Sequence, residues 1–289
     1  MERISGCART LTHRVLDRRR RWHCELIGGV SDRQDRVPGW DQHRLSRASV
    51  LLVGSAGLGG EVAEGLVLKG VGTLHACDPD IVTTTNLNRQ KFTPRDLYRN
   101  KAVCLCRNLS GRGFLGTHLI AHPCAMQDLD LVRLQPRPDL VVCGVDMTIP
   151  GSRLDVCRMC FEMGIPLIVS AVSTDADWGY VQIQKPGKAC WACAMKPERH
   201  PPESEAAEKQ CPGVPACIDI LKVMAGQILT AVDSLVMDRV IDWNFRSFSL
   251  SRGEFGGAKW IERRRDCPVC GTPEVEERVR LSSQRLEAV

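Results

Sequence analysis

A chain of 289 residues with 43% hydrophobic and 25% charged residues can bury one substantial core and reads as one main domain. It holds no apolar run of the roughly 18 residues that a membrane span needs, and a formal net charge of +5 is too modest to mark a nucleic-acid-binding protein. Its 15 cysteines fall mostly beside apolar segments with no secretory signal before them, which favours a reducing, cytoplasmic setting over a disulfide framework.

Residues 1–30 form a basic extension carrying Arg3, Arg9, Arg14 and Arg18 to Arg21 with few acids, expected to be solvated. Asp32-Arg33-Gln34 follow. Val50 to Val53 is an apolar, β-branched run suited to a buried parallel strand. Next comes Gly54-Ser55-Ala56-Gly57-Leu58-Gly59-Gly60, then a helix-like stretch from Glu61 to Leu68. Strand, glycine turn, helix is the order in which backbone N–H groups and a helix N-terminus meet a nucleotide phosphate. Ala56 stands where the second glycine of G-x-G-x-x-G would be.

Leu74 to Asp80 reads as a second strand ending in Asp78-Pro79-Asp80. An acidic residue about 20 positions after the glycines is where a ribose hydroxyl is commonly held; Asp80 is expected to serve the turn. Thr85-Asn86-Leu87-Asn88-Arg89-Gln90 and then Lys101 follow. A dehydrogenase needs no such cations, whereas Arg89 and Lys101 near a glycine turn suit a triphosphate whose charge must be gripped and neutralised. A third strand, Leu140 to Val145, ends at Asp146. A carboxylate at that edge of an open sheet lies where ligands bind and can hold Mg²⁺ against phosphates. The expected fold is α/β, a Rossmann-like doubly wound sheet.

Cys190-Trp191-Ala192-Cys193 and Cys267-Pro268-Val269-Cys270 have the C-x-x-C spacing of a closed tetrahedral Zn²⁺ site, structural because four thiolates leave no open position. Two disulfides or two redox dithiols are the alternatives. Cys157-x-x-Cys160 has the same spacing but falls in a predicted helix. Between the zinc pairs, Pro197 to Gly213 is rich in Pro, Glu, Ser and Lys and reads as a mobile crossover loop. Cys211 lies at its end, near Lys209 and a helix starting about Pro215; Val223 to Val236 is apolar enough to pack on the sheet or on a subunit partner. After residue 272 the chain is a charged tail, 273–289, with no appended rhodanese-like or ubiquitin-fold domain expected.

Gly54-x-x-Gly57-Leu58-Gly59, Asp78-x-Asp80, the Asn86 to Gln90 block, Lys101, Asp146 with Arg153 seven residues on, and the two cysteine pairs together resemble the ubiquitin-activating type of adenylating enzyme, the ThiF/MoeB-like family. The resemblance covers residues 31–272. It departs from the family at Ala56 and at Arg99-Asn100, which replace a proline and a glycine often found before the lysine. It implies binding of ATP with Mg²⁺ and adenylation of the C-terminal glycine of a ubiquitin-like or sulfur-carrier protein. The implied roles are phosphate approach for Gly57, a ribose contact for Asp78, phosphate contacts for Asn88, Arg89 and Lys101, and magnesium for Asp146. Gly54, Gly59 and Asn86 complete the nucleotide set. Cys211 is the implied acyl acceptor, forming a thioester or acyl persulfide, with Cys217, read as lying inside the following helix, as the second candidate. Asp32-Arg33-Gln34 resembles a segment that reaches the partner's active site in homodimeric members, with Arg33 as an arginine finger; a solvated charged face is the alternative. A conjugating enzyme or a sulfur donor would act downstream. The competing functions are ATP-dependent activation of a small peptide or modified tRNA base, a catalytically inactive nucleotide-binding scaffold, and an NAD-linked oxidoreductase.

Overall fold

The computed structural model describes residues 13–15, 22–24, 29–145, 152–197 and 216–271. Asp146, Cys211, nearly all of the crossover segment and the C-terminal tail therefore lie outside the described residues. A short antiparallel ribbon, β1 (His13–Val15) with β2 (Trp22–Cys24), precedes helices α1 (Asp32–Asp35) and α2 (Gln42–Arg47). The parallel half of the sheet and its helices then run β3 (Ser49–Val53), α3 (Gly57–Lys69), β4 (Thr73–Cys77), α4 (Lys101–Leu109), β5 (His118–His122), β6 (Leu140–Cys143), α5 (Ser152–Glu162) and β7 (Leu167–Val172). The rest is β8 (Trp178–Gln184), α6 (Trp191–Met195), α7 (Ile218–Val236), β9 (Phe245–Ser249) and β10 (Glu254–Lys259). No helix among the described residues is long and apolar enough to cross a membrane.

Eight strands form one sheet in the order β10-β9-β8-β7-β6-β3-β4-β5. Strands β7, β6, β3, β4 and β5 are parallel, and β8 to β10 extend the sheet antiparallel from β7. The chain winds outward from β3 through β4 to β5 and then returns to the other side of β3 as β6. The gap between β3 and β6 is thus a topological switch point, where open α/β sheets bind ligands.

Every residue of β3 and β4 is buried, because both sheet faces are covered. Along β3 the side chains alternate: Val50 and Leu52 join the core under α3 and α7, whereas Leu51 and Val53 join the core under α5 and α6. This period of two explains why the sequence reads as a continuous apolar run.

Helix α3 begins at Gly57, earlier than Glu61. A glycine-rich first turn is unfavourable by propensity, but packing selects it. A Cβ on Gly59 would lie 1.9 Å from the Gly54 carbonyl oxygen, and Cβ atoms on Gly57 and Gly65 would lie 2.7 and 2.4 Å from the Cδ1 atoms of Leu221 and Leu229 on α7. The missing side chains let α3 settle on the turn beneath it and on α7 beside it. Two other boundaries also shift. Strand β4 stops at Cys77, leaving Asp78 to Asp80 as the turn, and α7 starts at Ile218 with Cys217 as its N-cap, so that Cys217 precedes the helix instead of lying inside it.

Gly59→Ala is expected to cost at least about 3 kcal/mol or to prevent folding, since backbone must move to admit the methyl. Gly226→Ala, at an exposed α7 position with nothing within 4 Å of the new methyl, should stabilise by roughly 0.5–1 kcal/mol through helix propensity. Guanidinium unfolding of both variants checks the pair; similar effects would refute the packing account.

Candidate functional site

A cleft of about 150 Å³ opens at the C-terminal ends of β3, β4 and β6, walled by Gly54, Ala56, Asp78, Asp80, Lys101 and Val145 among others. Gly54 has φ +94°, a conformation that penalises any side chain, and its N–H donates to the Cys77 carbonyl at 2.9 Å. The chain then turns so that the Ser55 N–H donates to Asp78 Oδ2 at 2.6 Å, while the Asp80 N–H donates to Asp78 Oδ1 at 2.9 Å. Asp78 is 4% exposed. Burial pushes its carboxyl above the ordinary carboxylate value, and these two N–H groups pull the other way.

Lys101 is buried at the first position of α4, with its ammonium 2.8 Å from Asp80 Oδ2. Asn100 holds it there. Its Oδ1 accepts from the Val103 N–H at 3.1 Å as an N-cap, and its Nδ2 donates to the Asp78 carbonyl at 2.8 Å. The departure from the family pattern at this position is thus a helix cap that braces the turn carrying both aspartates. An asparagine before a helical stretch is itself the signal for such a cap.

The Asn86 to Gln90 block lies beside the cleft and not among its walls. Asn86 is buried and structural: its Oδ1 accepts from the Thr83 N–H at 2.9 Å. Arg89 donates to the Thr85 carbonyl at 2.6 Å and to Asn88 Oδ1 at 3.1 Å. The segment is tied to α3 by Lys91, 2.7 Å from both Glu61 and Glu64. Two buried side-chain atoms without a hydrogen-bond partner, Ser55 Oγ and Gln90 Oε1, belong to the glycine turn and to this block, so both motifs hold unspent polar capacity.

Arg153 on α5 is buried and donates from Nε to the Val145 carbonyl at 2.9 Å, fixing the chain just before residue 146. Arg33 is exposed on α1, and α1 is pinned to the far end of α3 by Gln34 donating to the Lys69 carbonyl at 3.0 Å. The cleft therefore gathers Gly54, Asp78 and Lys101. It does not gather Arg33, Gly57, Gly59, Asn86, Asn88 or Arg89 onto its walls.

The Sγ atoms of Cys190, Cys193, Cys267 and Cys270 are buried and all lie within 4.8 Å of one another. Individual separations are 3.9 Å for Cys190–Cys193, 3.4 Å for Cys190–Cys267 and 3.3 Å for Cys193–Cys270. A tetrahedral ion with Zn–S of about 2.3 Å requires sulfurs about 3.8 Å apart, so the donor set fits zinc. Mutual hydrogen bonding splits the set, lowering Cys193 and Cys267 and raising Cys190 and Cys270, so the fit to a metal rests on the distances. None of the four lines the cleft. Burial instead raises Cys77, Cys104, Cys106, Cys143 and Cys160, as for inert core thiols. Cys217 is exposed, 3.2 Å from Asp219 Oδ2.

The ThiF family model matches residues 31–269. The mouse (Mus musculus) adenylyltransferase and sulfurtransferase MOCS3 is 31% identical over 246 residues, covering 80% of this chain and 49% of its own. The Caenorhabditis elegans NEDD8-activating enzyme E1 catalytic subunit is 26% identical, covering 79% of this chain and 56% of its own. The sulfur carrier protein adenylyltransferase of Thermus thermophilus is 28% identical, with 80% and 84% covered. The chain thus spans about half the length of the first two. The crystal structure of E. coli MccB with ATP superposes with a TM-score of 0.65 at 20% identity, covering 80% of this chain and 68% of that one, which establishes a shared fold.

Cys270→Ser should release the metal and melt at least roughly 5 °C lower, because metal binding free energy is folding free energy. Zinc per chain and a thermal melt check this. Wild-type protein, purified under reducing conditions, with far less than one zinc per chain would contradict the assignment.

Proposed function

The chain belongs to the ThiF family, and on that premise we propose that it is an ATP-dependent adenylyltransferase acting on the C-terminal glycine of a ubiquitin-like or sulfur-carrier protein. The observation that carries this reading is the cleft that joins the Gly54 turn, Asp78 and Lys101 at the switch point of the sheet. The names of the mouse, nematode and Thermus relatives support both the reaction and the kind of substrate.

In this reading the ribose hydroxyls meet Asp78, whose carboxylate is aimed by the Ser55 and Asp80 N–H groups. The polyphosphate runs toward Lys101 and displaces Asp80 from its ammonium. Arg89 exchanges its local carbonyl contact for phosphate oxygens, with Asn88 beside it. Asp146 would hold Mg²⁺, which would neutralise phosphate charge, and Arg153 sets the backbone immediately before it. The carrier's terminal carboxylate then attacks the α-phosphorus. A carboxyl oxygen–phosphorus bond forms as the α,β-phosphoanhydride bond breaks, and pyrophosphate leaves. No general base is required, because the carboxylate is ionised at neutral pH; catalysis comes from orientation and charge neutralisation.

Cys211 is proposed to take the acyl group from the adenylate, releasing AMP, and a conjugating enzyme or sulfur donor would act afterwards. A homodimer also fits. Helix α1 sits at the far end of α3 from its own cleft, so Arg33 could serve only a second copy.

Lys101→Ala and Asp146→Ala are each expected to lose carrier-dependent ATP–pyrophosphate exchange by about 100-fold or more while remaining folded. Cys211→Ala should keep the exchange and lose the dithiothreitol-sensitive enzyme–carrier adduct seen on a non-reducing gel. An adduct that survives in Cys211→Ala but vanishes in Cys217→Ala would move the acceptor to the α7 N-cap. Exchange that persists in Lys101→Ala and Asp146→Ala would refute the site.

A further inference from the structure

A second pocket, of about 240 Å³, lies where β8 ends and β9 begins. Gln184 at the end of β8 pairs with Leu167, the first residue of β7. The pocket is therefore at the opposite end of the parallel strands from the nucleotide cleft. Helix α7 connects the two regions. Leu221 packs on Gly57 at the start of α3, and Ser234, about 20 Å further along at 1.5 Å per residue, lines the pocket.

Trp243, 3% exposed, gives the pocket an apolar floor, and Trp260, 50% exposed, stands at its wall. The turn that carries Trp260 is clamped by Asn244, whose Nδ2 donates to the Ile261 carbonyl at 2.8 Å and whose Oδ1 accepts from the Ile261 N–H at 2.6 Å. The wall is therefore built in advance of any ligand.

The polar groups are not balanced within the protein. Lys185 and Lys188 are exposed on the rim, and among the described residues neither has a carboxylate partner. Asp238, the rim's acid, is already held by Arg44, and Arg239 lies 3.7 Å from Asp233. Ser234 is 4% exposed, yet its hydroxyl has no hydrogen-bond partner. A buried hydroxyl left unpaired costs stability unless something occasionally satisfies it. Two free ammonium groups, two indoles and one unspent hydroxyl around one cavity describe a ligand with an anionic end and an apolar body.

We propose that this pocket binds a small organic carboxylate with an apolar or aromatic body, at a site separate from the nucleotide cleft. The body lies on Trp243 against Trp260, the carboxylate faces Lys185 and Lys188, and a polar atom of the ligand pairs with Ser234.

Phenylacetate is a suitable probe, titrated into the full chain by isothermal calorimetry with a saturating non-hydrolysable ATP analogue present. Saturable one-to-one binding is expected. Both 2-phenylethanol, which has the body without the charge, and acetate, which has the charge without the body, should bind at least about tenfold more weakly. Lys185→Gln with Lys188→Gln alters only exposed, unpaired side chains and should retain the fold while weakening phenylacetate at least about tenfold. Ser234→Ala should be no less stable than wild type, since its hydroxyl has no bond to lose, and should also bind more weakly. Absence of saturable phenylacetate binding overturns the proposal, as does equal affinity in the lysine double variant or competition by the ATP analogue.

Discussion

The parallel half of the sheet depends on one close approach, the start of α3 against the Gly54 carbonyl. With no Cβ on Gly59, the helix sits directly on the turn; a methyl there would lie 1.9 Å from that oxygen. The consequence is local order in the segment after β3. Gly54 takes a left-handed conformation, the Ser55 N–H reaches Asp78, and Asp78 in turn receives the Asp80 N–H. One steric allowance at residue 59 thus sets the carboxylate at the end of β4 and, through Asn100, the ammonium at the start of α4.

Around this turn the two sides of the sheet do different work. The parallel side, wound outward from the switch point, brings Gly54, Asp78 and Lys101 to one edge. The antiparallel side, β8 to β10, carries the chain from Cys190 to the vicinity of Cys267, where four buried thiols meet. A metal there would tie residues 77 positions apart and hold the segment after β10 to the one after β8, away from the cleft. Trp191, inside the first cysteine pair, donates from Nε1 to the Tyr180 hydroxyl at 3.0 Å, so the clamp is also anchored to the middle of the sheet.

Much of this was legible in the sequence, for reasons that differ from residue to residue. The run Val50 to Val53 announced a strand buried on both faces, and the glycines announced the turn. Both signals are local. The C-x-x-C pairs were readable as one cluster because their repeated spacing is that of a four-thiol set, and the four thiols do meet. What escaped depends on contacts distant in sequence. Glu61 did not mark the start of α3, because the helix begins at glycines that only the proximity of Leu221 and the Gly54 carbonyl explains. Cys217 read as helical because nothing in its neighbourhood shows the cap. The pairing of Lys101 with Asp80 could not be seen, since it spans the turn and the Asn86 to Gln90 block. The antiparallel strands β8 to β10 carry weak alternation, β10 being exposed throughout, and their place in the sheet comes from pairing with β7.

The most direct test of the central claim is the crystal structure of the full chain with a non-hydrolysable ATP analogue and magnesium. The expected result places the ribose hydroxyls on Asp78, the phosphates between the Gly54 turn and Lys101 with Asp80 displaced, and the metal at Asp146. A nucleotide bound away from the β3–β4–β6 edge, or a triphosphate that leaves the Lys101–Asp80 pair intact, would contradict it.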